Sequence, residues 1–295
     1  MNNQFLPILS VDCSCLLKKL ANLEGNYGIL APVHSHNILL QRIRDLGKPF
    51  LIDSGVFESK TNPWHKQIDC EFKQERWIRE VRLASEQHLR QKIRSYFERC
   101  AQFNPDYVFA PDIIGEPILS LYLARLSWEE YWLKPRDYSL IGVVQVGSVL
   151  YDWQETQIPL KDSLLLHYNS PKSFLAPLIS EYRNLGYKYI ALGGLLKPNS
   201  QTRTGLKFGL SLQELDELLT WSRPNFVLAG LALTRLEILK KHQVWADSTG
   251  WLWWDARYDP QRFKNRNTLQ EVVKLADSQI TPSTGARPIN SLNTL

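Results

Sequence analysis

At 295 residues the chain suits one barrel domain or two ordinary domains, and 44% hydrophobic with 22% charged residues is the balance of a soluble protein with a substantial core. Its longest apolar runs are strand-sized, which excludes a membrane-spanning helix, and Met1 is followed by polar residues, so no secretory leader is expected. Four cysteines (Cys13, Cys15, Cys70 and Cys100) do not make a disulfide framework in a chain this long, which points to a cytoplasmic protein, and a net charge of +5 permits a nucleic-acid partner without demanding one.

In chain order, short apolar runs ending in Gly, Asp or Pro alternate with longer helical patterns. Tyr27–Val33 and Phe50–Asp53 come first. Residues 72 to 100 then form the clearest predicted helix, with Trp77, Val81, Ala84, Leu89, Ile93, Phe97 and Cys100 on one stripe. Its other faces carry Lys73, Arg76, Arg79, Arg82, Arg90, Lys92, Arg94 and Arg99 against four acids, so that face is either solvated or phosphate-binding. Further runs follow at Tyr107–Ala110, Leu140–Val146, Ser163–Tyr168, Tyr189–Leu192, Phe226–Ala229 and Val244–Ala246, with helices expected over Leu212–Trp221 and Leu233–Lys241. Continuous apolar runs of this length are the mark of parallel strands covered on both faces. Eight of them alternating with helices predict an α/β fold, a single (β/α)₈ TIM-type barrel over residues 1–275. The Ser163–Tyr168 run also fits an insertion hairpin. Residues 276–295 are Ser, Thr, Pro, Gly and Asn with almost no apolar spacing, which predicts a disordered tail.

Functional groups of such a barrel sit at the C-terminal ends of its strands. Here those ends carry Asp53-Ser54-Gly55, Pro111-Asp112, Gln145-Val146-Gly147, Gly193-Gly194-Leu195, Gly230 and Asp247-Ser248-Thr249-Gly250. One such Asp is ordinarily the N-cap of the next helix. Three carboxylates, a glutamine and a Gly-Gly pair on one rim repel and crowd one another unless a substrate or a shared proton offsets the cost. A carboxylate suits the donor edge of guanine, and a glutamine amide with a glycine N–H suits its O6. Two further carboxylates suffice for glycosidic chemistry, one attacking the anomeric carbon and one moving protons on the base.

These strings resemble, in order and over most of the chain, the tRNA-guanine transglycosylase superfamily. Asp53-Ser54-Gly55-Val56-Phe57 is similar to its Asp-Ser-Gly-Gly-Phe/Tyr motif, and Val143-Val144-Gln145 to its Val-Gln-Gly segment. Ala191-Leu192-Gly193-Gly194-Leu195 is similar to its Ala-Ile-Gly-Gly-Leu motif, and Val227 to Asp247 to its last strand–helix–strand unit. The resemblance implies Asp247 as the nucleophile that forms a covalent intermediate at C1′, and Asp53 as the general acid/base. It implies Asp112 on the donor edge of the purine, Gln145 and the Gly194 N–H on O6, Leu195 beside the seven-substituent, and Ser54, Gly55 and Gly193 as pocket wall. A free 7-deazaguanine such as 7-cyano-7-deazaguanine is the implied incoming base, with no cofactor, and the target nucleotide must leave its stack.

The chain departs from the family at Val56, Glu58 and Ser248, and no cysteine follows Cys100. The family's structural zinc site, Cys-x-Cys-x-x-Cys with a distant His after the barrel strands, is therefore missing from the sequence. In tRNA-acting members that region helps to hold the RNA. The expected substrate is accordingly DNA, as in the superfamily's DNA-modifying paralogues, with a separate DNA-opening partner for duplexes. A zinc-less tRNA enzyme and a non-catalytic nucleic-acid-binding subunit are the alternatives.

Cys13 and Cys15 with His34 and His36 have metal-ligand residue types, but the spacing favours buried thiols and loop histidines, and no metal is expected. Trp245 reads as core. Trp251 and Trp253 either pack the barrel or stack on an unpaired base, and Arg257, Arg262 and Lys264 beyond them suit backbone phosphates.

Overall fold

Strands that are apolar at nearly every position need cover on both faces, and the chain provides it by rolling them into a closed, all-parallel barrel. The computed structural model describes residues 4–11, 14–54, 78–113, 117–146, 171–198, 206–248 and 273–274. Its strands are β1 (Pro7–Ser10), β2 (Gly28–Pro32), β3 (Phe50–Asp53), β4 (Tyr107–Phe109), β5 (Ser139–Gln145) and β6 (Tyr189–Gly193), then the antiparallel pair β7 (Leu196–Pro198) and β8 (Leu206–Phe208), and last β9 (Phe226–Val227) and β10 (Trp245–Ser248). The barrel runs β1-β10-β9-β6-β5-β4-β3-β2 and closes where β1 pairs with β2. Helices α1 (Ser14–Leu20), α2 (Asn37–Asp45), α3 (Ile78–Ala101), α4 (Pro117–Trp132), α5 (Pro171–Leu185), α6 (Leu212–Ser222) and α7 (Leu236–Lys241) alternate with the strands, and a 3₁₀ turn at Leu233–Arg235 leads into α7.

The (β/α)₈ class is the one the apolar runs predict, but one strand differs. The expected Ser163–Tyr168 run lies outside the described residues, and the eight barrel positions are filled without it, because β5 pairs directly with β6. The missing strand is β1, only four residues long and beginning at Pro7. It pairs with β10 on one side and β2 on the other, so it closes the barrel.

Two cores hold this arrangement. Ile8, Leu30, Leu51, Phe109, Ile141, Val143, Ala191, Phe226 and Trp245 fill the barrel interior, with Phe109 and Phe226 in edge-to-face contact at 5.0 Å between ring centres. Below them Tyr107 meets Tyr189 and Trp245 edge-on, each at 5.5 Å, and Trp245 donates to the Gln4 carbonyl at 3.0 Å. Trp245 is thus core, as its sequence context predicts. The second core lies between strands and helices, where α3 contributes Leu89, Ile93, Phe97 and Cys100 from its predicted stripe.

Local signals set the helix ends. In α6, Ser211 caps the Glu214 N–H while the Glu214 carboxylate returns to the Ser211 N–H, a reciprocal capping box. In α2, His36 Nδ1 accepts from Ile38 N at 3.3 Å, and the chain leaves the helix through Gly47 at φ +63°, where a side chain would be strained.

The basic face of α3 is neither simply solvated nor open to phosphate at three of its arginines. Arg90 binds Glu86 at 2.8 Å, Glu129 at 2.5 Å and Glu130 at 3.2 Å, while Arg94 pairs with Glu130. Glu129 and Glu130 belong to α4, so these charges join neighbouring helices. Arg99 donates to the Val33 and Ser35 carbonyls at 2.7 and 2.9 Å and to Asn37 Oδ1 at 3.0 Å, which ties α3 to the turn after β2.

Candidate active site at the C-terminal rim of the barrel

Side chains of a strand alternate between its faces, so each residue two places beyond an interior residue points into the barrel again. Leu51, Val143, Ala191 and Trp245 are interior residues. Asp53, Gln145, Gly193 and Asp247 follow them by two, and together they make the top layer of the barrel. Ser10 joins that layer two residues beyond Ile8. Strand parity thus brings four of the sequence-predicted residues, Asp53, Gln145, Gly193 and Asp247, to one end of one barrel.

Asp112 follows β4 and is 5% exposed. Gln145 Nε2 donates to its Oδ2, and Ser54 Oγ donates to its Oδ1 at 3.4 Å. Burial pushes the Asp112 carboxyl up to about 7, with the hydrogen bonds from Gln145 and Ser54 opposing that rise. Near neutral pH this group exchanges its proton readily. It can accept a hydrogen bond from a ligand at the cost of losing one from Gln145.

Gly193 is the reason Gln145 can lie there. A Cβ on Gly193 would stand 2.6 Å from Gln145 Nε2 and 3.2 Å from Leu228 Cδ1. Gly194, next in line, has φ +71°. Leu195 is 1% exposed and packs in the core between strands and helices, with its carbonyl accepting from Gly209 N at 3.0 Å.

Asp53 ends β3 and is half-buried, with its Oδ1 accepting from the following Ser54 N–H at 2.8 Å. Asp247 sits in β10 and is 6% exposed. Ala229 N donates to its Oδ1 at 2.6 Å, and Ser10 Oγ donates to its Oδ2 at 3.2 Å. Sequence reasoning missed both donors. Ser10 lies on the unrecognised strand, although the apolar run Phe5–Leu9 before it was a usable signal. Ala229 stands in the expected Phe226–Ala229 strand, but β9 ends at Val227 and Ala229 turns back with φ +54°.

The remaining predicted residues divide simply. Gly55, Trp251, Trp253, Arg257, Arg262 and Lys264, together with Val56 and Glu58, lie outside the described residues, as do Cys13 and the tail 276–295. His34 and His36 are exposed, and His36 is spent as the cap of α2. Among the described residues no group of three or more His, Cys, Asp or Glu side chains could hold a metal ion, and no helix is long and apolar enough to cross a membrane.

A separate cavity of about 670 Å³ opens at the opposite end of the barrel, lined by Gln4, Asn26, Arg44, Lys48, Asp106 and Trp245 among others. Its charges already serve the fold: Asp106 accepts from Phe50 N at 2.8 Å and pairs with Arg44 at 3.5 Å, and Lys48 donates to the Gly25 carbonyl at 2.9 Å. The strand-end carboxylates face the other way.

At that rim the described chemistry is an acceptor–donor pair of buried groups, Asp112 and Gln145, flanked by two carboxylates in different settings. Asp53 is partly open to solvent, whereas Asp247 is enclosed and held by donors on both oxygens. Compared with known proteins, the chain matches no family model and no curated protein.

Proposed function

We propose that the chain is a base-exchanging glycosyltransferase that replaces a guanine in nucleic acid, DNA in preference, with a 7-deazaguanine. The observation that supports it best is the buried Asp112–Gln145 pair beside two unlike carboxylates. A guanine-type base can part that pair, giving its N1–H and exocyclic amine to Asp112 and taking the Gln145 amide on O6. A ligand that parted the pair without replacing its hydrogen bond would leave both groups unsatisfied, at about 1–3 kcal/mol each.

The two remaining carboxylates divide the chemistry. Asp247 attacks C1′ as the C1′–N9 bond breaks, and the bonding electrons stay on N9. Asp53, entering as the acid, supplies the proton that neutralises the leaving base. After base exchange, Asp53 takes the N9 proton of the incoming 7-deazaguanine, N9 attacks C1′, and the ester bond to Asp247 breaks to regenerate its carboxylate. Two displacements at one carbon give retention, and one base leaves for each that enters, so the exchange balances without a redox change. The preference for DNA rests on the sequence after Asp247, where Trp251 and Trp253 suit stacking on an unpaired strand and Arg257, Arg262 and Lys264 suit backbone phosphates.

The test is incorporation of labelled 7-cyano-7-deazaguanine by the full chain into tRNA, single-stranded DNA and duplex DNA at matched salt, since phosphate contacts make affinity salt-dependent. Label in single-stranded DNA and not in tRNA is expected. Label in tRNA alone overturns the DNA preference, and label in none of the three overturns the transglycosylase reading.

A further inference from the structure

We propose that Ser10 is a positioning residue for Asp247, fixing the carboxylate so that Oδ2 is the oxygen that attacks C1′; the proposal rests on the transglycosylase reading above.

The two oxygens of Asp247 are held differently. Oδ1 takes a backbone N–H, from Ala229 at 2.6 Å, and Oδ2 takes a hydroxyl, from Ser10 at 3.2 Å. The Ala229 donor is fixed. Its turn is anchored by Leu228 N on the Leu192 carbonyl at 2.9 Å, Leu231 N on the Asp247 carbonyl at 3.0 Å and Arg235 Nε on the Gly230 carbonyl at 2.6 Å. Gly230 has no room for a side chain, because a Cβ there would collide with Val227 Cγ1. Ala229 itself holds a left-handed φ of +54°, a conformation that costs an alanine about 1 kcal/mol or more and that here aims its N–H at the carboxylate.

That asymmetry selects the attacking oxygen. An oxygen that becomes the bridging atom of an ester is a poor acceptor, so attack through Oδ1 would sacrifice the short bond to an N–H that cannot follow it. Attack through Oδ2 leaves Oδ1 as the ester carbonyl, still bonded to Ala229. The Ser10 hydroxyl occupies one lone pair of Oδ2 beforehand and, being a free rotor, can turn away once the ester forms. In the return step the charge that develops on Asp247 meets the same preset N–H, which keeps the carboxylate a competent leaving group. β1 thus supplies more than barrel closure: its last residue faces the nucleophile across the β1–β10 pairing, in which Leu9 stands opposite Ser248.

The experiment compares the full-length wild type with Ser10→Ala and Ser10→Thr. It measures single-turnover formation of the covalent adduct with single-stranded DNA, steady-state base exchange and thermal stability. Ser10→Ala is expected to keep the fold and the KM for the base while adduct formation and kcat fall about 10- to 100-fold. Ser10→Thr, which keeps the hydroxyl, is expected to recover most of the rate. A wild-type adduct rate in Ser10→Ala, or a Ser10→Thr enzyme as slow as Ser10→Ala, overturns the proposal while sparing the transglycosylase reading. No adduct in the wild type on any nucleic acid overturns that reading and this proposal with it.

Discussion

The Gln145 amide donates to the Asp112 carboxylate, and both side chains are buried. Burial raises the Asp112 carboxyl to about 7, so between the ordinary range of an Asp and pH 7 the folded chain holds a proton that the unfolded chain has released. The stability this confers is complete at acid pH and is lost as pH rises through about 7. Asp112→Asn, which cannot ionise, is therefore expected to be more stable than the wild type at pH 8 by about 2–4 kcal/mol, with the gap closing near pH 4. Denaturant unfolding of both proteins across that range measures it. A constant gap at all pH values would mean that Asp112 does not titrate in this window.

The same pair depends on a missing side chain. With the Gly193 Cβ position 2.6 Å from Gln145 Nε2, Gly193→Ala must drive the amide off Asp112. The expected result is a folded protein whose affinity for free 7-deazaguanine base falls at least about 10-fold, the equivalent of one lost hydrogen bond in a buried site. Calorimetric titration with the base reads this directly. Unchanged affinity would place base recognition away from Gln145.

The barrel class was legible because parallel strands covered on both faces must be apolar throughout, and runs such as Phe50–Asp53 carry little else. Asp53, Asp112, Gln145 and Asp247 were legible for a related reason, since they interrupt or follow apolar strands where a core residue would otherwise stand. β1 was not, because four residues opening on a proline carry too little pattern to outweigh a longer run such as Ser163–Tyr168. Ala229 acts through a backbone N–H in a left-handed turn, and nothing in an alanine's side chain announces that. Arg90 and Arg94 of α3 had an ambiguous pattern for a different reason: their partners Glu129 and Glu130 lie on another helix, and only packing brings the two helices together.

That interhelical cluster predicts a stability effect far from the rim. Glu130 is 1% exposed; burial alone would raise its carboxyl, but the hydrogen bonds from Arg94 and Arg90 outweigh it and hold the group below its usual range. A lowered carboxyl contributes stability that is present above the ordinary Glu range and lost as pH falls through the lowered value. Glu130→Ala is expected to cost about 1–3 kcal/mol at pH 7, tempered because Arg90 keeps Glu86 and Glu129. The deficit should shrink in acid. A mutant that unfolds at the wild-type denaturant midpoint at pH 7 would show that the cluster adds no net stability.

Asp247→Asn separates the chemistry of the rim from its architecture. The asparagine carbonyl can take the Oδ1 position and keep the Ala229 N–H, and its amide then faces Ser10, whose hydroxyl can rotate to accept instead of donate. Both local bonds survive, the volume is unchanged, and Leu231 N still finds the Asp247 backbone carbonyl at 3.0 Å. What disappears is the anionic oxygen. Base exchange and the covalent adduct should therefore fall by about 10⁴-fold or more, while thermal stability, nucleic-acid affinity and binding of free base stay close to wild type. Asp53→Asn gives the matching contrast. Without an acid for the leaving guanine, adduct formation slows, but a substrate whose base leaves without protonation should restore much of it. Denaturing electrophoresis of protein with labelled single-stranded DNA resolves the two variants, since rescue by the better leaving group is expected for Asp53→Asn and not for Asp247→Asn. Rescue of Asp247→Asn in that assay would remove Asp247 from the nucleophilic role.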